Sequence, residues 1–145
     1  MPWDGLEINR TQKKVTTKVG NIDIWESGDP SNPPAIILPL SDTNMLHIIP
    51  AFVHSGYRTI EIDYYSNVKV GAVRSEDILL KGGPAELINA VMAALDLDDK
   101  QPLIAGYDHG ASIGLRMASQ WPNKFSKLVA FHPGISKPLE CKAEF

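Results

Sequence analysis

The sequence predicts an α/β fold, in which a mainly parallel β-sheet carries helices on both faces and is preceded by a β-hairpin. Short apolar segments typical of buried strands alternate with segments whose apolar residues recur at helical spacing. Clusters of glycine and proline separate these segments. The chain has 145 residues, 43% of them hydrophobic, which is enough for one hydrophobic core. We therefore expect a single domain over residues 1–145.

The first part of the chain predicts three strands. Residues 14–19 and 22–26 are strand-like, and Gly20-Asn21 between them is a typical hairpin turn. After a loop rich in proline and glycine, residues 35–38 (AIIL) form a continuous apolar run. Such a run is typical of a parallel strand that is buried on both faces of its sheet.

Two helices are predicted in the middle of the chain. Apolar side chains recur at helical spacing from residue 43 to residue 55, Gly56 ends the pattern, and residues 57–63 return to a strand. The next helix begins at Pro84, because helices accept proline at their first position. Its apolar stripe consists of Leu87, Ile88, Val91, Met92 and Leu95.

The last part of the chain predicts a strand over residues 102–107, a helix over 109–121 and a strand over 127–131. A hairpin followed by strands that alternate with helices requires right-handed crossovers and a mainly parallel sheet. Ligand sites in such sheets lie at the carboxyl ends of the strands.

Composition and charge exclude several classes of function. The 14 lysines and arginines are outnumbered by 17 aspartates and glutamates, and no basic run occurs, so we expect no nucleic-acid partner. The longest apolar stretch, residues 35–40, is too short to span a membrane, and no signal peptide is evident. Cys141 is the only cysteine, which excludes an internal disulfide and a cysteine metal cluster. We expect a cytoplasmic protein that acts on a small molecule without metal, cofactor or membrane partner.

The turn between the fifth predicted strand and the third predicted helix is the most informative segment of the sequence. A tight strand-turn-helix holds its central residue at positive φ and needs small residues two positions before it and two and three positions after it. Gly106, Gly110 and Ala111 occupy these positions around Asp108. We expect the Asp108 carboxylate to project above the sheet beside the amide of His109, where a developing oxyanion is stabilised. The simpler alternative is that Asp108 caps the helix.

A second nucleophile pattern lies just beyond this turn. Residues 110–114 match G-x-S-x-G, which would make Ser112 the nucleophile. The helix would then keep about eight residues before Pro122, roughly 12 Å, which is short for a crossover. Counted from Asp108 the helix has about thirteen residues, and Ser112 falls one turn inside it. We therefore favour Asp108 over Ser112 as the residue at the turn.

Four segments carry a family resemblance: the strand AIIL, the passage IIPAFVHSGYRTIEID, the turn AGYDHGA, and QWPNKFSKLVAFHPG. With these segments, residues 14–134 resemble the α/β-hydrolase superfamily, and within it the aspartate-nucleophile branch of epoxide hydrolases and haloalkane dehalogenases. The resemblance implies that Asp108 attacks a substrate carbon to form an alkyl-enzyme ester, which a histidine-activated water then hydrolyses. It also implies that the amides of His109 and Ser41 form the oxyanion hole.

The chain departs from the family pattern in three places. Pro39-Leu40 stand where the family has His-Gly, and residues 63–66 (DYYS) stand where it has Asp-x-Arg-Gly. The cap domain, the final two strands, the acid loop and the catalytic histidine have no counterpart, so we expect a truncated fold that corresponds to the amino-terminal half. Without a histidine base, such a chain would form the ester and not hydrolyse it, and turnover would point to His132. The alternative is a non-catalytic binding protein on the same fold.

The last predicted strand, residues 127–131, raises two further expectations. His132 follows it on the same edge of the sheet as Asp108, where an imidazole would orient the carboxylate or interact with its opposite charge. The alternative is a histidine that binds local backbone. This strand is interior in the superfamily and lies open here, which favours self-association through its edge. The alternative cover for that edge is the tail over residues 135–145.

Overall fold

The computed structural model describes residues 8–39, 47–64, 67 and 83–132. The strands are β1 (Arg10–Thr17), β2 (Gly20–Ser27), β3 (Pro34–Leu38), β4 (Arg58–Glu61), β5 (Leu103–Tyr107) and β6 (Lys127–Phe131), and the helices are α1 (Ile49–His54), α2 (Pro84–Ala94) and α3 (His109–Gln120). The six strands of this part of the chain form one sheet in the order β1-β2-β4-β3-β5-β6.

The sheet is mainly parallel, as predicted. β1 and β2 form an antiparallel hairpin, β2 runs antiparallel to β4, and the pairs β3–β4, β3–β5 and β5–β6 are parallel. Helices cover both faces: α2 and α3 pack on one face, around Ile36 and Ile60, and α1 packs on the other, around Ile37. Every residue of β3 is buried, as its continuous apolar run predicts.

The hairpin turn differs from its prediction. Thr17 pairs with Gly20, so the turn consists of Lys18 and Val19 rather than of Gly20-Asn21. The Thr17 hydroxyl closes it, since Oγ1 accepts a hydrogen bond from the Val19 amide at 3.1 Å and donates one to the Gly20 carbonyl at 2.8 Å. Val19 packs against the core, and Gly20 takes φ 134 in the first position of β2. Side-chain hydrogen bonding and burial therefore outweigh the local preference of Gly20-Asn21.

The first helix also differs from its prediction, which begins it at residue 43. The helix begins at Ile49, and His47 and Ile48 form a turn before it, while residues 40–46 lie outside the described ranges. Pro50 explains this start: proline lacks an amide hydrogen and clashes with the preceding turn, so a helix accepts it only in its first turn. The helix ends at His54, shortly before Gly56.

Two buried carboxylates join the hairpin to β4. Glu61 is 3% exposed and accepts two hydrogen bonds from Arg10, whose Nε lies 2.9 Å from Oε2 and whose Nη2 lies 3.0 Å from Oε1. The Arg10 guanidinium also lies 3.9 Å from the centre of the Trp25 ring, a cation–π contact. Glu26 on the other face of the sheet pairs with Lys13 and Arg58. Burial raises the pKa of Glu26, but the hydrogen bonds and charges of these two cations outweigh it and lower the pKa overall.

The carboxyl ends of β3, β4, β5 and β6 meet at one edge of the sheet. Leu38 pairs with Gly106, and Tyr107 pairs with Phe131, so these strands end nearly level with one another. Asp108 and His132 follow directly on β5 and β6. This edge therefore brings together the residues that the sequence singles out.

Candidate active site

Asp108 lies at the turn between β5 and α3, in the backbone conformation that the small-residue spacing predicts. Its φ is 53 and its ψ is −113, and α3 begins at the next residue, His109. A residue other than glycine in this region costs about 1–3 kcal/mol of conformational strain. The half-buried Asp108 side chain makes no capping hydrogen bond to the helix. The simpler alternative of a helix cap therefore does not explain why an aspartate stands here.

The glycines around Asp108 are required by close packing. A Cβ on Gly106 would lie 2.4 Å from the backbone of Gly110, and a Cβ on Gly110 would lie 1.9 Å from the carbonyl oxygen of Leu38. Ala111 is fully buried. The start of α3 thus passes against β5 and β3 at distances that leave no room for larger side chains.

Two backbone hydrogen bonds hold Asp108 in place. Its amide donates to the carbonyl of Phe131 at 3.0 Å, and its own carbonyl accepts from the amide of Ser112 at 3.1 Å. The turn is therefore tied to the end of β6 as well as to the first turn of α3. His132 directly follows Phe131, the residue whose carbonyl accepts the hydrogen bond from Asp108.

Ser112 lies inside α3 rather than at the turn. Its hydroxyl donates to the carbonyl of Asp108 at 3.4 Å, the usual partner of a serine within a helix. The G-x-S-x-G match therefore falls on the first turn of the helix, and the strained position belongs to Asp108.

His132 lies next to Asp108 without a direct bond to it. The side chain is exposed and its φ is 44. Its ring packs edge-to-face on Tyr107, with ring centres 6.4 Å apart and planes at 75°. Among the described residues, the structure records neither a hydrogen bond nor an ion pair between the imidazole and the Asp108 carboxylate. The sequence carries no signal for the contact with Tyr107, because this contact depends on the register of β5 and β6.

Of the two proposed oxyanion donors, the structure describes only His109. His109 is the first residue of α3, so its amide lies at the positive end of the helix dipole. Ser41 lies outside the described residues, as does Leu40. Pro39, which precedes them, is buried.

Asn67 supports the same edge of the sheet and was not singled out by the sequence. Its buried amide accepts from the Asp23 amide at 2.8 Å and donates to the carbonyls of Asp23 at 3.0 Å and Asp63 at 2.8 Å. It thereby ties the segment after β4 to β2. One asparagine in a polar stretch carries no sequence signal for this role.

Two further features are missing from the part of the chain that the structure describes. These ranges hold no group of three or more histidine, cysteine, aspartate or glutamate side chains arranged to bind a metal ion. None of the helices in them has the length and apolar character of a membrane span.

No protein-family model and no curated protein matches the chain. Solved structures do match. The carboxylesterase CesB of Bacillus subtilis superposes with a TM-score of 0.68 at 23% identity, over 91% of this chain and 45% of that one. The chain has the α/β-hydrolase fold. In α/β-hydrolases a sharp strand-to-helix turn that carries the nucleophile is called the nucleophile elbow. The turn at Asp108, between β5 and α3, has this shape, and we call it the elbow.

Two further solved structures extend the comparison. A predicted CIB-like hydrolase of Thermoplasma acidophilum has a TM-score of 0.64 at 19% identity, over 86% of this chain and 63% of that one. Epoxide hydrolase A of Mycobacterium thermoresistibile has a TM-score of 0.62 at 14% identity, over 84% of this chain and 39% of that one. The chain thus spans less than half the length of CesB and of the epoxide hydrolase, and identities this low establish the fold alone.

Proposed function

We propose that this α/β-hydrolase-type protein reacts with small molecules that carry an epoxide, an alkyl halide or an ester, and that Asp108 is the nucleophile. One observation carries the proposal. Asp108 is held at φ 53 in the position of the nucleophile elbow, and its carboxylate makes no capping hydrogen bond. Strain of this kind persists where the surrounding structure imposes it, and it is concentrated at active sites.

The first step of this chemistry suits a carboxylate. A carboxylate is ionised at neutral pH and attacks without the neighbouring base that a serine hydroxyl needs. One carboxylate oxygen of Asp108 forms a bond to an electrophilic carbon of the substrate. The carbon–oxygen bond of the epoxide or ester, or the carbon–halogen bond, breaks with its electron pair, and an alkyl ester remains on the enzyme. The opened epoxide oxygen takes a proton from solvent, whereas a halide or carboxylate departs as an anion.

Hydrolysis of the ester passes through a tetrahedral intermediate that carries an oxyanion. The family resemblance assigns the stabilisation of this oxyanion to the amides of His109 and Ser41. The support on the His109 side is the start of α3 directly after the elbow, because a helix N-terminus favours negative charge. The chain has Leu40 where the family has a glycine, so the assignment of the Ser41 amide rests on the resemblance alone.

Mass spectrometry tests the proposed nucleophile. The intact protein is incubated with styrene oxide, then digested, and the peptide that contains Asp108 is examined for the added mass. We expect a single site of adduct formation that is lost in Asp108→Asn and retained in Asp99→Asn, a control at an exposed carboxylate distant from the elbow. An adduct that survives Asp108→Asn and disappears in Ser112→Ala would instead support a serine nucleophile.

A non-catalytic binding protein is the second candidate function. It is favoured by the lack, among the described residues, of any histidine bonded to the Asp108 carboxylate. A binding protein would neither consume styrene oxide nor gain mass from it, so the same experiment separates the two functions.

A further inference from the structure

We propose that His132 is the general base that hydrolyses the ester formed on Asp108. This inference rests on the proposed function and adds the residue that completes the reaction.

The strand register brings the two residues together. β5 and β6 are adjacent and parallel, Tyr107 pairs with Phe131, and the Asp108 amide donates to the Phe131 carbonyl at 3.0 Å. Neighbouring strands lie about 4.8 Å apart, so side chains that leave adjacent strands at the same level lie within reach of a single bridging water.

Both residues have unusual backbone conformations. Asp108 has φ 53 and His132 has φ 44, although neither is glycine. Asp96 and Gln101 also have positive φ, but they lie in the connection from α2 to β5, where such turns are common. Asp108 and His132 differ from these two residues because they follow directly on two paired strands. They lie at the edge where ligands bind in this class of sheet, and strained residues are concentrated at such sites.

The ring of His132 is positioned and available. Its recorded contact in the described part of the chain is the edge-to-face packing on Tyr107, which restricts rotation of the ring. The side chain is exposed and makes no recorded hydrogen bond within the described ranges.

The proposed step balances without any further reactant. A water molecule gives a proton to the imidazole of His132, and its oxygen attacks the carbonyl carbon of the Asp108 ester. The tetrahedral intermediate collapses, the ester carbon–oxygen bond breaks, and the departing alcohol oxygen takes the proton back from the imidazolium. One water is consumed, and the Asp108 carboxyl group releases the remaining proton of that water to solvent, which offsets the proton taken up when the epoxide opened. The Asp108 carboxylate is thereby regenerated, and an epoxide leaves as a diol.

The experiment follows the Asp108 adduct over time after styrene oxide is removed. The variant is His132→Asn, because asparagine tolerates positive φ and cannot act as the base. We expect the His132→Asn variant to form the adduct at the wild-type rate and to lose it at least ~100-fold more slowly. The matched control is His54→Asn, an exposed histidine in the last turn of α1, which should release the adduct as the wild type does. In His132→Gly, added imidazole should restore release.

The outcomes separate the inference from the proposed function. Normal adduct formation in His132→Asn shows that the elbow is folded and reactive. If wild type and His132→Asn then release the adduct at the same rate, or if imidazole restores nothing in His132→Gly, His132 is not the base. If the wild type neither gains the adduct nor consumes styrene oxide, Asp108 is not a nucleophile and both proposals fail.

Discussion

Gly110 at the start of α3 packs directly against Leu38 at the end of β3. A Cβ on Gly110 would lie 1.9 Å from the Leu38 carbonyl oxygen, a distance that no side-chain adjustment relieves because the obstacle is backbone. The elbow is therefore held against the strand that precedes the proposed oxyanion loop. Its geometry depends on this contact as much as on the conformation of Asp108 itself.

The first prediction concerns this contact. Gly110→Ala should lower the free energy of unfolding by more than about 3 kcal/mol, because α3 must move away from β3. Gly114→Ala is the matched control in the same helix, since its Cβ would meet the flexible end of Leu128 at 3.2 Å. We expect it to stay within about 1 kcal/mol of the wild type. Urea denaturation measures both, and equal effects would contradict the packing described here.

The second prediction concerns the ion pair between Arg10 and Glu61. Glu61→Ala leaves the guanidinium largely buried over Trp25 without a carboxylate, which should cost about 3 kcal/mol of stability. Lys14→Ala removes an exposed pair with Asp23 and should cost less than about 1 kcal/mol. Chemical unfolding of both variants measures the difference. Similar losses would mean that burial adds nothing to the first pair.

The third prediction is a pH dependence of stability from Glu26. Its folded-state pKa lies below its ordinary value of 4.5, so its ion pairs contribute fully above that value and are lost as the pH falls through the folded-state pKa. The free energy of unfolding should therefore fall below pH 4.5 more steeply in the wild type than in Glu26→Gln. Urea titrations from neutral to acidic pH test this, and parallel curves for the two proteins would contradict it.

The fourth prediction concerns β6, which we propose pairs with a second copy of the chain. Within the described residues no strand lies on its outer side, and Leu128 and Val129 are only partly buried. No proline or charge interrupts its middle, and Phe131 is 38% exposed at its end. Light scattering after size exclusion should give a dimer that Val129→Lys reduces to the 15.9 kDa monomer. A monomer of wild-type protein at high concentration would exclude the pairing.

The elbow could be predicted from the sequence because its requirements are local. The small residues around Asp108 are close in the chain, and each responds to a clash that any tight strand-turn-helix creates. The same holds for the burial of β3, whose apolar run has no polar face. The mainly parallel sheet follows from the alternation of strands and helices together with the family resemblance.

The predictions of the hairpin turn and of the first helix are wrong for physical reasons that involve individual side chains. The predicted hairpin turn is misplaced because Thr17 hydrogen bonding and Val19 burial outweigh the preference of a Gly-Asn pair. The predicted first helix starts too early because its apolar spacing takes no account of where Pro50 can stand in a helix. The contact between Tyr107 and His132 joins two strands, so it depends on a register that no single segment of sequence encodes.

A single turnover in water enriched in oxygen-18 tests the covalent route through Asp108 most directly. Protein in excess is allowed to react with styrene oxide, and the oxygen-18 is then located in the peptide that contains Asp108 and in the diol product. If the ester forms on Asp108 and is hydrolysed at its carbonyl carbon, the heavy oxygen enters the Asp108 carboxylate and the first diol carries none. Label in the diol with an unlabelled Asp108 peptide would mean that water attacks the substrate directly, and would contradict the account.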